Sequence, residues 1–177
     1  MSAHDAYAYI ALGSNLGDRR DHLERAVGLL AGEAGTCLRR SHVYDTSPLG
    51  CDPGQDNYLN AVIEMAVCLD PLDLLDACMN IEHRMGRVRR RPNEARLIDL
   101  DILLYDDCVV DTPRLTLPHP RMHLRRFVLE PLAELIPDWC HPRTRQTVLQ
   151  MQSDLCTGAN ETVTRCASGW LTCTPAG

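Results

Sequence analysis

"YLNAVIEMAV", residues 58–67, alternates without a break. Leu59, Ala61, Ile63, Met65 and Val67 fall on one side of an extended chain, and Tyr58, Asn60 and Glu64 on the other. Two stretches outward from it divide in the same way. "YAYIAL" (7–12) sets Ala8, Ile10 and Leu12 against Tyr7 and Tyr9, and "RLIDLDILLYDD" (96–107) sets Ile98, Leu100, Ile102 and Leu104 against Asp99 and Asp101. A further strand is expected around "CLRRSHVYDT" (37–46).

Helical spacing fills the gaps between these strands. Residues 19–31 place Leu23, Ala26, Val27 and Leu30 on one stripe. "DPLDLLDACMNIEHRMG" opens with Asp70 as N-cap and Pro71 at the first helical position, carries Leu74, Cys78, Ile81 and Met85 as its stripe, and stops at Gly86. Strand–helix–strand–strand–helix–strand, with both helices on the apolar side, is the order of an α+β, ferredoxin-like antiparallel sheet. Further on, "LTLPHPRMHLRRFVLEPLAELIPDW" is expected to be helical in two pieces broken at Pro131. Residues after about 145 read as weak strand and loop. The expected organisation is one domain over 1–145, with an extension, 146–177, packed on it.

The 177 residues, 45% apolar and 24% charged, suit a globular domain with a real core. The apolar runs are too short to span a bilayer, and "MSAHDAYAYIALGSN" has no basic segment followed by an apolar one, so neither membrane nor secretion is expected. Nine cysteines without a CxxC pair argue against a disulfide framework or a zinc site and favour scattered thiols in a reducing cytoplasm. All 18 cationic side chains are arginine, which excludes a lysine nucleophile and a P-loop lysine. A net charge of −6 disfavours general nucleic-acid binding, yet "RMGRVRRRPNEAR" (84–96) holds six arginines.

Asp99 and Asp101, two apart on a strand, project from one face. Paired carboxylates suit Mg²⁺, which takes one or two of them and completes its shell with water and phosphate oxygens. A solvated strand face explains an isolated Asp-x-Asp equally well. Here the arginine run lies immediately upstream, and carboxylates for metal beside guanidinium groups for phosphate is the layout of phosphoryl transfer. Arg125 and Arg126 are available for further phosphate contacts. His119 reads first as structural. Phe127, the only phenylalanine, reads first as core, although aromatic rings with one Asn on an open sheet face also sandwich a flat heterocycle.

In chain order, "AYIALGSNLGD", "YDTSPLG", "NYLNAVIEM", "IEHRMGR", "RLIDLDILLYDD" and "RLTLPHPRMHLRRFVLEPLAEL" resemble the 6-hydroxymethyl-7,8-dihydropterin pyrophosphokinases of folate biosynthesis, over about residues 7–142. The resemblance implies a site on the open face of the sheet, where ATP gives its terminal pyrophosphate to the hydroxymethyl group of a reduced pterin and AMP leaves. It implies that Asp99 and Asp101 bind two Mg²⁺ ions and that, with them, Arg87 and Arg96 carry catalysis by clamping the phosphates. Leu75, Glu82, Arg89, Ile102, Arg114, Thr116, His119 and Arg125 are similar to residues near ATP. Thr46, Ser47, Leu49, Tyr58, Asn60 and Phe127 resemble the pterin pocket, with Phe127 stacking on the ring and Asn60 hydrogen-bonding to it. That reverses the first reading of Phe127. Many members read "RWGPR" before the aspartates; here the stretch is "RRPNEAR", and Arg96 keeps its place three residues before Asp99.

The implied partners are two small molecules, with no nucleic acid and no membrane, acting on a cytoplasmic monomer. The loop 46–56 and the arginine loop are expected to close over both substrates and exclude water. Two other classes fit such a sheet: an RNA-binding module, and another two-metal enzyme that releases pyrophosphate instead of transferring it.

Overall fold

The alternating stretches become the strands of one sheet. The computed structural model describes residues 6–49, 54–86, 95–156 (to 155 for side chains) and 161–170. Its elements run β1 (Ala6–Ser14), α1 (Arg19–Glu33), β2 (Gly35–Arg40), β3 (Tyr44–Thr46), β4 (Tyr58–Val67), α2 (Pro71–Arg84) and β5 (Asp99–Tyr105). A two-stranded hairpin, β6 (Val110–Asp111) and β7 (Thr116–Leu117), follows. Then come a 3₁₀ turn (Met122–Leu124), α3 (Arg126–Leu135), α4 (Val148–Cys156) and β8 (Val163–Arg165). The main sheet is antiparallel, in the order β5-β1-β4-β3-β8, with β2 also on β4. This is the ferredoxin-like arrangement, with the expected second strand divided in two. Ser41 makes the division: its amide donates to Val62 O (2.9 Å), and its hydroxyl accepts the Val62 amide (2.9 Å). A side chain thus completes the ladder where the backbone leaves it.

The first face of the sheet carries the expected apolar residues. Ala8, Ile10, Leu12, Leu59, Ala61, Ile63, Met65 and Val67 pack on Leu23, Ala26, Val27 and Leu30 of α1 and on Leu74, Cys78 and Ile81 of α2. Asp70 caps α2 as its composition suggests, its carboxylate accepting the amides of Leu72 and Asp73 at 2.9 Å. Gly86 ends the turn after α2 at φ +93°, a conformation that only glycine adopts cheaply.

Three expectations change. Leu104 does not share a face with Leu100 and Ile102. A β-bulge places Tyr9 opposite Leu104 and Ile10 opposite Ile102, so Leu103 is an additional residue and Leu103 and Leu104 both enter a second core. Pro131 does not break the helix; α3 runs through it, and the discontinuity falls at Arg125, which is extended. Burying Val128, Leu129, Leu132 and Leu135 stabilises by about 1.5–3 kcal/mol each, and together the four exceed the roughly 3 kcal/mol of an interior proline. Residues 148–156 are helix rather than strand or loop, because Val148 and Met151 join α3 in that second core. Besides α1 and α2 on the first face, α3 and α4 therefore cover part of the second. The remainder of that face stays open.

Candidate active site

The open part of the second face is the floor of a cavity of about 480 Å³. Each wall follows from local sequence. The alternation of β5 points Asp99 and Asp101 up from the floor, opposite Gly13 and Ala11 of β1. The start of strand β4 contributes Tyr58 and Asn60; the end of β3 and the chain beyond it contribute Thr46, Ser47 and Leu49. His119, Arg121, Leu124, Arg125, Phe127 and Val128 come over the top from the segment that leads into α3.

The two carboxylates stand among cations. Arg96 Nη1 donates to Asp99 Oδ2 at 2.8 Å, and Arg125 Nη1 to Asp101 Oδ2 at 3.4 Å. His119 Nε2 lies 4.0 Å from the same Asp101 oxygen. The Arg121 amide donates to His119 Nδ1 (3.2 Å), so the neutral ring carries its proton on Nε2, toward Asp101. Burial pushes the His119 pKa below its ordinary value; Asp101 opposes this, and Arg125 and Arg121 reinforce it. Burial likewise lowers the pKa of the Arg125 guanidinium, against the pull of Asp101. At Arg96 burial is outweighed by Asp99 and Tyr58, and the pKa rises. Both guanidinium groups also sit over rings, Arg96 5.9 Å from the Tyr58 centroid and Arg125 5.5 Å from Phe127.

Other lining residues are apolar or carry amide and hydroxyl groups. Asn60, 7% exposed, donates from Nδ2 to Thr46 Oγ1 (2.7 Å). Gly13 leaves it room: a Cβ there lies 2.8 Å from Asn60 Oδ1. Phe127 lines the same cavity.

Thr46, Ser47, Leu49, Tyr58, Asn60, Arg96, Asp99, Asp101, His119, Arg125 and Phe127 thus come together around one cavity. Leu75, Glu82, Ile102, Arg114 and Thr116 do not line it. Ile102 and Leu75 pack in the first core, Thr116 pairs with Asp111 in the hairpin, and Arg114 pairs with Asp76 of α2. Glu82 is buried and accepts the Leu100 amide at 2.8 Å, holding the strand between the two aspartates. Arg126 turns away to Glu130. Arg87, Arg89 and residues 50–53 lie outside the described residues.

Sequence reasoning missed Asn15. This fully buried side chain accepts the Arg96 amide (2.7 Å) and donates to Gln55 Oε1 (3.3 Å), while its own amide donates to Arg96 O (3.2 Å). It fastens the exit of the arginine loop to the chain before β4. The available signal is an Asn directly after the strand-ending Gly-Ser. Arg121 and Leu124 on the rim were also missed.

Among the described residues no three His, Cys, Asp or Glu side chains cluster as a metal site. Asp99 and Asp101 alone suit Mg²⁺, whose remaining ligands are water and phosphate, and do not suit Zn²⁺, which takes more protein ligands.

Comparison with known proteins agrees with this geometry. Residues 9–137 match the 7,8-dihydro-6-hydroxymethylpterin-pyrophosphokinase (HPPK) family. A Synechocystis protein named 2-amino-4-hydroxy-6-hydroxymethyldihydropteridine pyrophosphokinase is 40% identical over 145 residues, which cover 81% of this chain and 73% of the relative. The Bacillus subtilis protein of the same name is 45% identical over 129 residues, covering 72% and 77%. Among solved structures, an HPPK-DHPS in complex with substrates superposes with a TM-score of 0.71 at 14% identity; it covers 84% of this chain, which spans 43% of that longer one, and the likeness is one of fold. With the family match running through β1, β4, β5 and α3, the chain belongs to the 7,8-dihydro-6-hydroxymethylpterin-pyrophosphokinase family.

Proposed function

We infer that the chain transfers pyrophosphate from ATP to the hydroxymethyl group of 6-hydroxymethyl-7,8-dihydropterin, releasing AMP, as a step of folate biosynthesis. The observation that carries this reading is the polarity of one cavity. Asp99, Asp101, Arg96, His119 and Arg125 line it together with Thr46, Asn60 and Phe127. A polyphosphate matches the charged set and a flat heterocycle bearing amide-like groups matches the amide, hydroxyl and aromatic set.

In this reading Asp99 and Asp101 hold Mg²⁺, two ions in our proposal, which neutralise the phosphate oxygens. Arg96 lies against Asp99, within reach of a phosphate, and Arg87 and Arg89 are assigned to the same clamp. Asn60 and Thr46 orient the pterin edge, Phe127 stacks on its face, and the hydroxymethyl group points toward the carboxylates. Its oxygen attacks the β-phosphorus in line. The bond from that phosphorus to the bridging α–β oxygen breaks, AMP leaves with the electron pair, and the hydroxyl proton passes to Asp99 or water. Positioning and charge neutralisation supply most of the rate. No described helix is long and apolar enough to cross a membrane. We take the enzyme to be a cytoplasmic monomer, with 1–145 as its catalytic domain and 146–177 docked on it.

The test is one reaction of protein, ATP, Mg²⁺ and 6-hydroxymethyl-7,8-dihydropterin, resolved by nucleotide chromatography. Pterin-dependent AMP without ADP is expected. A folded protein that binds ATP but forms no AMP refutes the assignment, and free pyrophosphate as the product would point to a nucleotidyl transferase or cyclase.

A further inference from the structure

The family match ends at residue 137, yet residues 161–166 touch both Ser47 and Phe127, which line the cavity. On the sheet side, β8 pairs with β3 so that Val163 lies opposite Thr46. The Ser47 amide donates to Thr162 O, and the Thr162 amide to Ser47 Oγ, both at 3.0 Å. The Cys166 amide donates to Val43 O at 2.9 Å. On the helix side, the Phe127 amide donates to Glu161 Oε1, and Arg126 Nη1 to Glu161 O, both at 3.3 Å. Two consecutive residues therefore tie Ser47 to Phe127 across the slot.

Glu161 is an expensive choice for this place. It is 7% exposed, and among the described residues no cationic side chain comes within ion-pair distance of it; Arg126 pairs with Glu130 instead. Burial pushes its pKa up, while the backbone amides of Phe127 and Arg126 and the charges of Arg126 and Arg125 pull the other way. A buried carboxylate without an ion-pair partner costs stability. An apolar side chain would pack here at lower cost, but it would not fix the first turn of α3, and hence Phe127, to the strand beside Thr46 and Ser47.

We propose that residues 161–166 are part of the heterocycle site: Glu161 and Thr162 are positioning residues that set the width of the slot between Ser47 and Phe127. This rests on the reading that the slot takes the pterin. Neither residue touches the ring; both act through the residues that do.

Full-length Glu161→Ala and Glu161→Gln, compared with the parent, test it, with KM for the pterin and for ATP measured separately. Loss of a charge-assisted bond at one wall should raise the pterin KM roughly tenfold in Glu161→Ala. The ATP KM should stay close to that of the parent. Glu161→Gln keeps an oxygen acceptor and should recover most of the loss. A lowered melting temperature with both KM values unchanged, or equal rises in both, would mean that the segment is a structural brace only and would overturn the proposal. Should Glu161→Ala not fold, hydrogen exchange on the unmodified protein decides. Pterin should slow exchange of the Ser47, Phe127 and Val163–Arg165 amides together, and an unresponsive tail overturns the idea. A parent protein that forms no pterin-dependent AMP fails the underlying function instead.

Discussion

Gly13→Ala probes how closely the cavity is fitted around Asn60. The backbone at Gly13 is not in the left-handed region, so alanine is tolerated by the main chain and the effect is steric. The new Cβ meets Asn60 Oδ1 at 2.8 Å, while Asp99 Cβ and Tyr58 Cδ1 stay at 3.9 Å. Ordinary contact begins near 3.4 Å, so the amide oxygen must retreat by roughly 0.6 Å. Asn60 cannot do this freely, because it is 7% exposed and its Nδ2 is held by Thr46 at 2.7 Å. Overpacking of this kind costs about 1–3 kcal/mol, and losing the Asn60–Thr46 bond lies in the range of roughly 0.5–1.5 kcal/mol. If half of that strain is relieved by turning Asn60 away from the ring, pterin binding weakens on the order of tenfold. Urea unfolding measures the first quantity, and a titration of the protein with pterin at saturating ATP analogue the second. The ATP affinity should not change, since Asp99 and Asp101 keep their distances. Parent-like pterin affinity in a folded Gly13→Ala protein would show that Asn60 does not set the ring geometry.

Asp101→Ala should abolish transfer, by about a thousandfold or more, without loss of fold; retained turnover in the AMP assay removes the metal role. Asn15→Ala strips the acceptor from the Arg96 amide and should destabilise by roughly 2 kcal/mol in urea while also lowering kcat, because Arg96 loses its anchor. Glu64 has a pKa held below the ordinary 4.5, chiefly by its bond to Arg39, against the effect of burial. Its carboxylate therefore adds stability that is complete above pH about 4.5 and is lost as pH falls through the depressed folded value. Melting curves of Glu64→Gln should show a flatter acid limb than the parent below that pH, and identical slopes would contradict the pairing. Protease cleavage within the loops 46–56 and 84–96 should slow when a non-hydrolysable ATP analogue and pterin are both present; equal cleavage rates would count against closure.

β4 is legible to the residue because its alternation runs unbroken from Tyr58 to Val67 and Asp70-Pro71 starts a helix directly after it. β5 is legible only to Ile102, since the bulge hides in the pair Leu103-Leu104, where strict alternation forces one of two buried leucines outward. The helix at 148–156 left a trace that was passed over: Val148, Met151 and Leu155 recur at helical spacing, masked by polar neighbours that suggested loop. At the site, Asp99 and Asp101 declare themselves because carboxylates are out of place in an apolar strand. Asn60, Thr46 and Phe127 do not. Each is ordinary where it stands, and only the packing of α3 over the open face brings Phe127 to the other two. Glu82 and Arg114 do not line the cavity in this structure: Glu82 accepts the Leu100 amide and Arg114 pairs with Asp76.

The bulge in β5 bears on how this chain tolerates changes of length. Leu103 is surplus to the pairing of β1 with β5, so deleting it would leave a regular ladder in which the aspartates still face upward and Tyr105 still faces the helices. Sheet architecture alone would permit the shorter strand. What forbids it is the carbonyl of Leu103, which accepts the His119 amide at 2.9 Å. One spare residue thus moors the chain crossing above the cavity to the strand that bears Asp101. A Leu103 deletion should accordingly yield a folded sheet whose His119 segment has lost its mooring, whereas a deletion at Leu100 would invert Asp99 relative to Asp101 and dismantle the site itself.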